Sequence, residues 1–203
     1  IGDFNNDGLQ DLFFGGNYVS SRLYLNKGNL QFEDITKAAA VTTSPWITGV
    51  SVIDINRDGL DDIYLSVAGI TPADNRKNLL FINQGIRNGV PAFIESARSY
   101  GLDDDSYSTM AAFFDYDKDG DPDMYLVNNW LEKFNRNNIR PKRIRGEAES
   151  TDNLYRNNGD NTFTDVSAES GILIEGYGLG VNICDINMDS WPDIYVANDF
   201  MSN

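Results

Sequence analysis

Asp115-Tyr116-Asp117-Lys118-Asp119-Gly120-Asp121-Pro122-Asp123, running straight into Met124-Tyr125-Leu126-Val127, is one of four versions of a single pattern in this chain. The others are Asp3-Phe-Asn5-Asn-Asp7-Gly8-Leu9-Gln-Asp11, Asp54-Ile-Asn56-Arg-Asp58-Gly59-Leu60-Asp-Asp62 and Asp185-Ile-Asn187-Met-Asp189-Ser190-Trp191-Pro-Asp193. Each leads into an apolar run: Leu12-Phe-Phe, Ile63-Tyr-Leu and Ile194-Tyr-Val in these three. The patterns begin 51, 61 and 70 residues apart. Similar segments in a constant order mark a repeat architecture before any element is assigned.

Outward from these loops the same order recurs. Leu23-Tyr-Leu-Asn26-Lys-Gly28, Leu80-Phe-Ile-Asn83-Gln-Gly85 and Leu154-Tyr-Arg-Asn157-Asn-Gly159 each read as a strand entering a tight turn. Beyond the turns, Phe32-Glu-Asp-Ile-Thr, Phe93-Ile-Glu-Ser and Phe163-Thr-Asp-Val-Ser alternate like half-buried edge strands. Thr48-Gly-Val-Ser-Val-Ile, Thr109-Met-Ala-Ala-Phe-Phe and Gly178-Leu-Gly-Val-Asn-Ile precede the later loops. With strand A before each loop and B, C and D after it, the unit is four antiparallel strands, the content of a β-propeller blade. A β-sandwich with acidic turns is the competing reading, and it does not place one loop repeatedly at one hairpin.

The fold expected is therefore all-β: a β-propeller of four-stranded antiparallel blades, present as about three blade equivalents. The units are a partial blade at 1–46, blades at 47–106 and 107–176, and a partial blade at 177–203. The thirteen strands so counted fall short of the roughly sixteen that even four blades require, so a fragment of a larger propeller is expected. In the third unit residues 130–150 intervene between strands B and C and hold six of the sixteen basic residues: Lys133, Arg136, Arg140, Lys142, Arg143 and Arg145. They read either as a solvated loop or as a docking site for an anionic ligand.

Positions 1, 3, 5 and 9 of every loop carry oxygen side chains: Asp3, Asn5, Asp7 and Asp11; Asp54, Asn56, Asp58 and Asp62; Asp115, Asp117, Asp119 and Asp123; Asp185, Asn187, Asp189 and Asp193. A calcium ion takes about six to eight oxygens at roughly 2.3–2.6 Å, and alternate oxygens along a tight loop can converge on one point. Glycine at position 6 allows the turn that aims the position-7 carbonyl, that of Leu9, Leu60, Asp121 or Trp191, at the metal. Up to four Ca²⁺ ions are expected. An EF-hand is disfavoured because position 12 holds Phe14, Leu65, Leu126 or Val196 in place of glutamate. The third loop, with four aspartates, should bind most tightly. The fourth is weakened by Ser190 at position 6, where a left-handed backbone costs roughly 1–2 kcal/mol, and the first lacks a preceding strand A.

Composition sets limits. Thirty-one acids against sixteen bases give a formal charge of −15, which excludes nucleic acid as a general partner by repulsion of phosphate and favours cations. The absence of histidine removes the usual zinc ligand and any serine–histidine triad from these residues. No apolar run reaches the roughly 20 residues of a membrane helix. Cys184, in Gly-Val-Asn-Ile-Cys, reads as a small buried hydrophobe, and Asp103, Asp104 and Asp105 read as a solvated loop. A leader segment could have been removed upstream of Ile1.

These loops and the strands around them resemble the FG-GAP/VCBS repeat family, whose propeller repeats also occur in integrin α subunits. Tyr195-Val-Ala-Asn-Asp-Phe200 and Leu154-Tyr-Arg-Asn-Asn-Gly-Asp-Asn-Thr-Phe163 are similar to the repeat region of ASPIC/UnbV-type secreted proteins. The resemblance implies an extracellular, calcium-binding propeller of about seven blades. Ser190 and the basic insertion depart from it.

Every convergent polar cluster read from the chain is accounted for as a metal loop, so the function expected is non-catalytic: a calcium-rigidified, extracellular module for adhesion or recognition of a protein or glycan ligand. Calcium at extracellular levels suits loops of this modest charge, so a secreted or cell-surface (extracellular or periplasmic) location follows. The alternative is the propeller of an extracellular glycan-acting enzyme, which a carboxylate pair outside the loops, facing a common cleft, would favour. A purely architectural spacer is the third reading.

Overall fold

Strand B of the second unit, Ile63-Tyr-Leu-Ser-Val, is apolar at every position but Ser66, a near-continuous run that burial on both faces explains. A computed structural model, describing residues 1–69, 75–129 and 141–199, shows how both faces are covered. Four antiparallel sheets stand side by side. The first holds β1 (Leu12–Phe14), β2 (Arg22–Asn26) and β3 (Phe32–Asp34). The second holds β4 (Trp46–Ile53), β5 (Asp62–Ala68), β6 (Leu79–Arg87) and β7 (Val90–Glu95). The third holds β8 (Ser108–Phe114), β9 (Asp123–Asn128), β10 (Asn153–Asn157) and β11 (Phe163–Asp165), and the fourth β12 (Gly178–Cys184) and β13 (Asp193–Asn198). Each strand pairs with its sequence neighbour, and the thirteen strands among the described residues are the number expected. This is a partial propeller. A short helix, α1 (Ala97–Tyr100), is the one element with no counterpart in the sequence reading.

Alternation along the strands makes the core. Ile63, Leu65 and Val67 of β5 face the first sheet and pack with Phe13, Leu23 and Leu25, while Tyr64 turns the other way to Met124, Leu126 and Ala111. In β9 Met124 and Leu126 look back to the second sheet and Tyr125 and Val127 forward to Val181, Ile194 and Val196. Each interface is thus a separate apolar layer shared by two blades. Each fully buried Leu, Ile or Val contributes roughly 1.5–3 kcal/mol relative to exposure.

The A strands carry a second repeated feature. β4, β8 and β12 each skip one residue in pairing with the following B strand, at Thr48, Thr109 and Leu179. At two of these bulges the freed hydroxyl crosses to the next blade: Thr48 Oγ1 donates to the Ser108 carbonyl at 2.6 Å and Thr109 Oγ1 to the Gly178 carbonyl at 3.1 Å. Gly49, beside the bulge, is required by this approach, since a Cβ there would lie 2.5 Å from the Thr109 carbonyl oxygen.

Three expectations need correction. Cys184 is exposed, not buried: along β12 it lies, with the exposed Asn182, on the face opposite Val181, which is the side that packs on the third blade. Phe32, Glu33 and Asp34 of β3 are all exposed, although alternation was expected. Asp103 and Asp104 are half-buried instead of solvated: Lys77 Nζ donates to Asp103 Oδ2 at 2.6 Å, and the Tyr155 hydroxyl to Asp104 Oδ2 at 2.8 Å. The aspartates sit where the second and third blades meet. Of the basic insertion, 130–140 lies outside the described residues. Lys142 and Arg145 are exposed, and the Arg143 backbone pairs with Glu175 through two hydrogen bonds.

Candidate metal loops

An A–B hairpin leaves its backbone N–H groups at the tip without ladder partners, and aspartate or asparagine side chains satisfy such groups locally. In the first loop Asp3 Oδ1 accepts from the Asp7 N–H at 3.0 Å and Oδ2 from the Gly8 N–H at 2.8 Å, while Asp7 Oδ1 accepts from the Leu9 N–H at 2.8 Å. The second loop repeats this with Asp54, Asp58, Gly59 and Leu60, and the fourth with Asp185, Asp189, Ser190 and Trp191, all between 2.8 and 3.1 Å. In these three loops the position-3 amide also donates to the position-5 carboxylate: Asn5 to Asp7, Asn56 to Asp58 and Asn187 to Asp189, at 2.9, 2.9 and 3.0 Å. That donor, with the Leu9 N–H, holds the Asp7 carboxyl below its usual range. At Asp189 the Trp191 N–H is the larger cause and Asn187 the next. The first loop therefore matches the second despite having only an isolated bridge, Gly2 to Asp11, before it.

The third loop is different. Asp117 replaces asparagine and cannot donate, although its Oδ1 still accepts from the Asp119 N–H, at 3.3 Å, as the asparagines of the other loops do from theirs. Asp115 Oδ2 accepts from the Gly120 N–H at 3.0 Å, but Asp115 Oδ1 is buried with no hydrogen-bond partner. Oxygens of Asp115, Asp117 and Asp123 lie within 4.8 Å of one another. A buried carboxylate oxygen without a donor, beside two more carboxylates, is costly unless a cation joins them. The residues present fit a hard, oxygen-seeking ion.

Position 9 has a second role that spacing did not reveal. Asp11, Asp62 and Asp123 are fully buried. One oxygen of each takes the position-2 N–H, from Phe4, Ile55 or Tyr116, at 3.0, 3.1 and 3.0 Å. The other takes the N–H of Asn26, Asn83 or Asn157 on strand C at 2.8, 2.7 and 2.8 Å. The side chain of each asparagine then accepts from the glycine two residues on and donates to a backbone carbonyl just before the position-9 aspartate, that of Gln10, Asp61 or Pro122. These asparagines, read from sequence only as turn formers, hold the loop to its blade. Their constant place in Leu-x-x-Asn-x-Gly was the available signal. Burial pushes the Asp62 carboxyl up to about 7 and that of Asp123 to about 6, against the lowering by these N–H donors. Asp193 keeps the position-2 bond, from Ile186 at 2.8 Å, and is only half-buried.

Position 6 is left-handed in every loop, with φ of 85°, 85° and 95° at Gly8, Gly59 and Gly120 and 70° at Ser190. The fourth loop thus adopts the common path at the cost anticipated for a non-glycine residue.

Outside the loops, Asp152 and Asp165 line one cleft of about 510 Å³, the arrangement an enzyme would favour. Asp152 and Asp165 are committed to internal bonds, and the other two acids of the cleft, Glu149 and Glu169, are exposed to solvent. Asp152 accepts from the Tyr125 hydroxyl at 2.9 Å and the Asn128 N–H at 2.8 Å, and Asp165 accepts from Ser167 and Asn153. Burial pushes the Asp152 carboxyl up to about 6.

Stacked antiparallel blades, each with an acidic nine-residue loop leading into its strand B, define a propeller-type repeat module. More specifically, residues 3–65 and 144–196, over half of the chain, match the FG-GAP-like repeat, and the chain belongs to that family. FG-GAP repeats are a structural, non-catalytic type of module. The third loop lies between the two matched segments. No curated protein matches the chain. Among the described residues no helix is long and apolar enough to cross a membrane.

Proposed function

We propose that this protein is a calcium-stabilised, extracellular propeller module for recognition of a protein or glycan ligand, related to the repeat region of ASPIC/UnbV-type secreted proteins. One observation carries the calcium reading: the partnerless Asp115 Oδ1 beside Asp117 and Asp123 in the third loop. The side chains of Asp115, Asp117, Asp119 and Asp123 and the Asp121 carbonyl would hold that ion. The corresponding oxygens would serve in the other three loops. Calcium there draws the A–B hairpin tips together and offsets charge in a chain of −15.

Ligand recognition belongs to the opposite ends of the blades, where the B–C and D–A connections emerge. A cleft of about 700 Å³ there is lined by Trp46, Lys77, Arg98 and Asp103, and Tyr18 packs edge-on to Trp46 at 4.8 Å. The basic residues of 141–150 adjoin the blade further on and suit an anionic ligand. The binding reading is preferred to the enzymatic one because Asp152 and Asp165 spend their oxygens on the blade itself. Thermal melting with and without chelator tests the calcium claim: millimolar calcium is expected to raise the melting temperature by several degrees through mass action, and an unchanged melting temperature would refute it.

A further inference from the structure

At three successive junctions the position-4 side chain of one acidic loop lands on position 6 or 7 of the next, and in one case on both. Asn6 Nδ2 donates to the Gly59 carbonyl at 3.2 Å. Arg57 Nη1 donates to the Gly120 carbonyl at 3.1 Å, and its Nη2 pairs with Asp121 Oδ1 at 2.6 Å. Lys118 Nζ stands 3.8 Å from the centre of the Trp191 ring. Position 4 is left-handed in all four loops, with φ of 54°, 58°, 63° and 62° at Asn6, Arg57, Lys118 and Met188, although none is glycine. A strained conformation repeated at one position, with side chains repeatedly bridging to the next blade, is a built feature.

We infer that Arg57 is an affinity-determining link, through which the state of the second loop sets the cation affinity of the third. The inference rests on the cation reading of the loops and adds communication between them. Arg57 lies between Asn56 and Asp58, both proposed ligands, so an ion in the second loop fixes the backbone from which its side chain departs. A fixed Arg57 in turn holds the Gly120 carbonyl and the Asp121 carboxylate, and the Asp121 backbone carbonyl is a proposed ligand of the third loop. Ordering already achieved at one site need not be repeated at the next, which is positive coupling. Direct repulsion between two bound cations opposes it, but the loop tips are solvent-exposed and salt screens charges there. Asp121 is the one acid at position 7 of the four loops. Its side chain is 11% exposed against 59% for Arg57, so the ion pair anchors at the third loop.

The test is calorimetric calcium titration of the protein in a D3N/D185N background, which disables the first and fourth loops. There D54N is compared with its parent, with Arg57 present and after R57A. Asparagine keeps one of the two accepting oxygens, so the Asp58 or the Gly59 N–H loses its partner; that local loss is the same with and without Arg57, and the comparison of the two arms cancels it. With Arg57 present, D54N should weaken the third-loop site about fivefold, the lower end of ordinary coupling; after R57A it should change nothing. An unchanged third-loop affinity in the presence of Arg57, or equal weakening with and without it, overturns the link while leaving calcium binding intact. Absence of any calcium heat in the background protein overturns both readings. A melting cycle of R57A and D121N in chelator gives a metal-free check, and a zero interaction between the two substitutions also removes the link.

Discussion

The second and third acidic loops follow the same backbone path, share most of their internal bonds and differ at two of them. In the second, the Asn56 amide donates to Asp58, and Asp54 Oδ1 accepts from the Asp58 N–H at 2.9 Å, so both oxygens of each of its ligand carboxylates have a donor. In the third, Asp117 leaves the position-5 carboxylate without that amide, and Asp115 Oδ1 has no donor at all. Asparagine at position 3 acts as an internal substitute for positive charge, while aspartate there leaves the charge for an outside cation to balance. One atom pair, amide for carboxylate, separates a loop that is settled alone from one that is not.

The largest expected effect tests what the two loops share. Asp62 and Asp123 each satisfy two backbone N–H groups at full burial, so Asp62→Ala and Asp123→Ala should each cost roughly 3 kcal/mol in metal-free protein, with two donors orphaned in both cases. Denaturant unfolding in chelator measures this, and a loss confined to one loop would break the equivalence. Asp152, outside the loops, calibrates how a buried acid behaves without a proposed ion. Its folded pKa of about 6 lies above the unfolded value of 3.8, so the folded state holds its proton more tightly. Stability from this group is fully present below about pH 4 and is lost as pH rises towards 6, by about 3 kcal/mol. D152N should flatten that part of the stability profile, and an unchanged slope would show that Asp152 does not carry it.

Exchanging the position-3 residues acts on the difference itself. Asp117→Asn should weaken calcium binding at the third loop about tenfold, and Asn56→Asp should strengthen the second by a similar factor, since each moves one ligand charge. Titration of the two variants reads both changes, and equal affinities before and after would remove the significance given to asparagine. The smallest effect concerns the fourth loop. Ser190→Gly relieves a left-handed serine and should stabilise the protein by about 1 kcal/mol; a destabilised variant would mean that Ser190 makes a compensating contact.

Much of the fold was legible because its signals are local. The near-continuous apolar runs Ile63 to Val67 and Met124 to Val127 specify strands buried on both faces, and the four loops are nine-residue units closed largely by their own side chains. The oxygen positions could be read for the same reason. Position 9 was read only in part, because half its bonding comes from Asn26, Asn83 and Asn157, between 15 and 34 residues further on.

The sequence by itself thus determined the strand pattern, the repeat and the oxygen-rich loops, since a side chain's period and its bonds to neighbouring N–H groups do not depend on the rest of the molecule. Only the tertiary structure decided which residues meet between blades. Arg57 reaches Gly120 across 63 residues, Tyr155 reaches Asp104 across 51, and Cys184 is left exposed on its sheet. Such contacts arise from the stacking of sheets, and no local pattern records them, because the partner's position is set by the apolar layers between the blades.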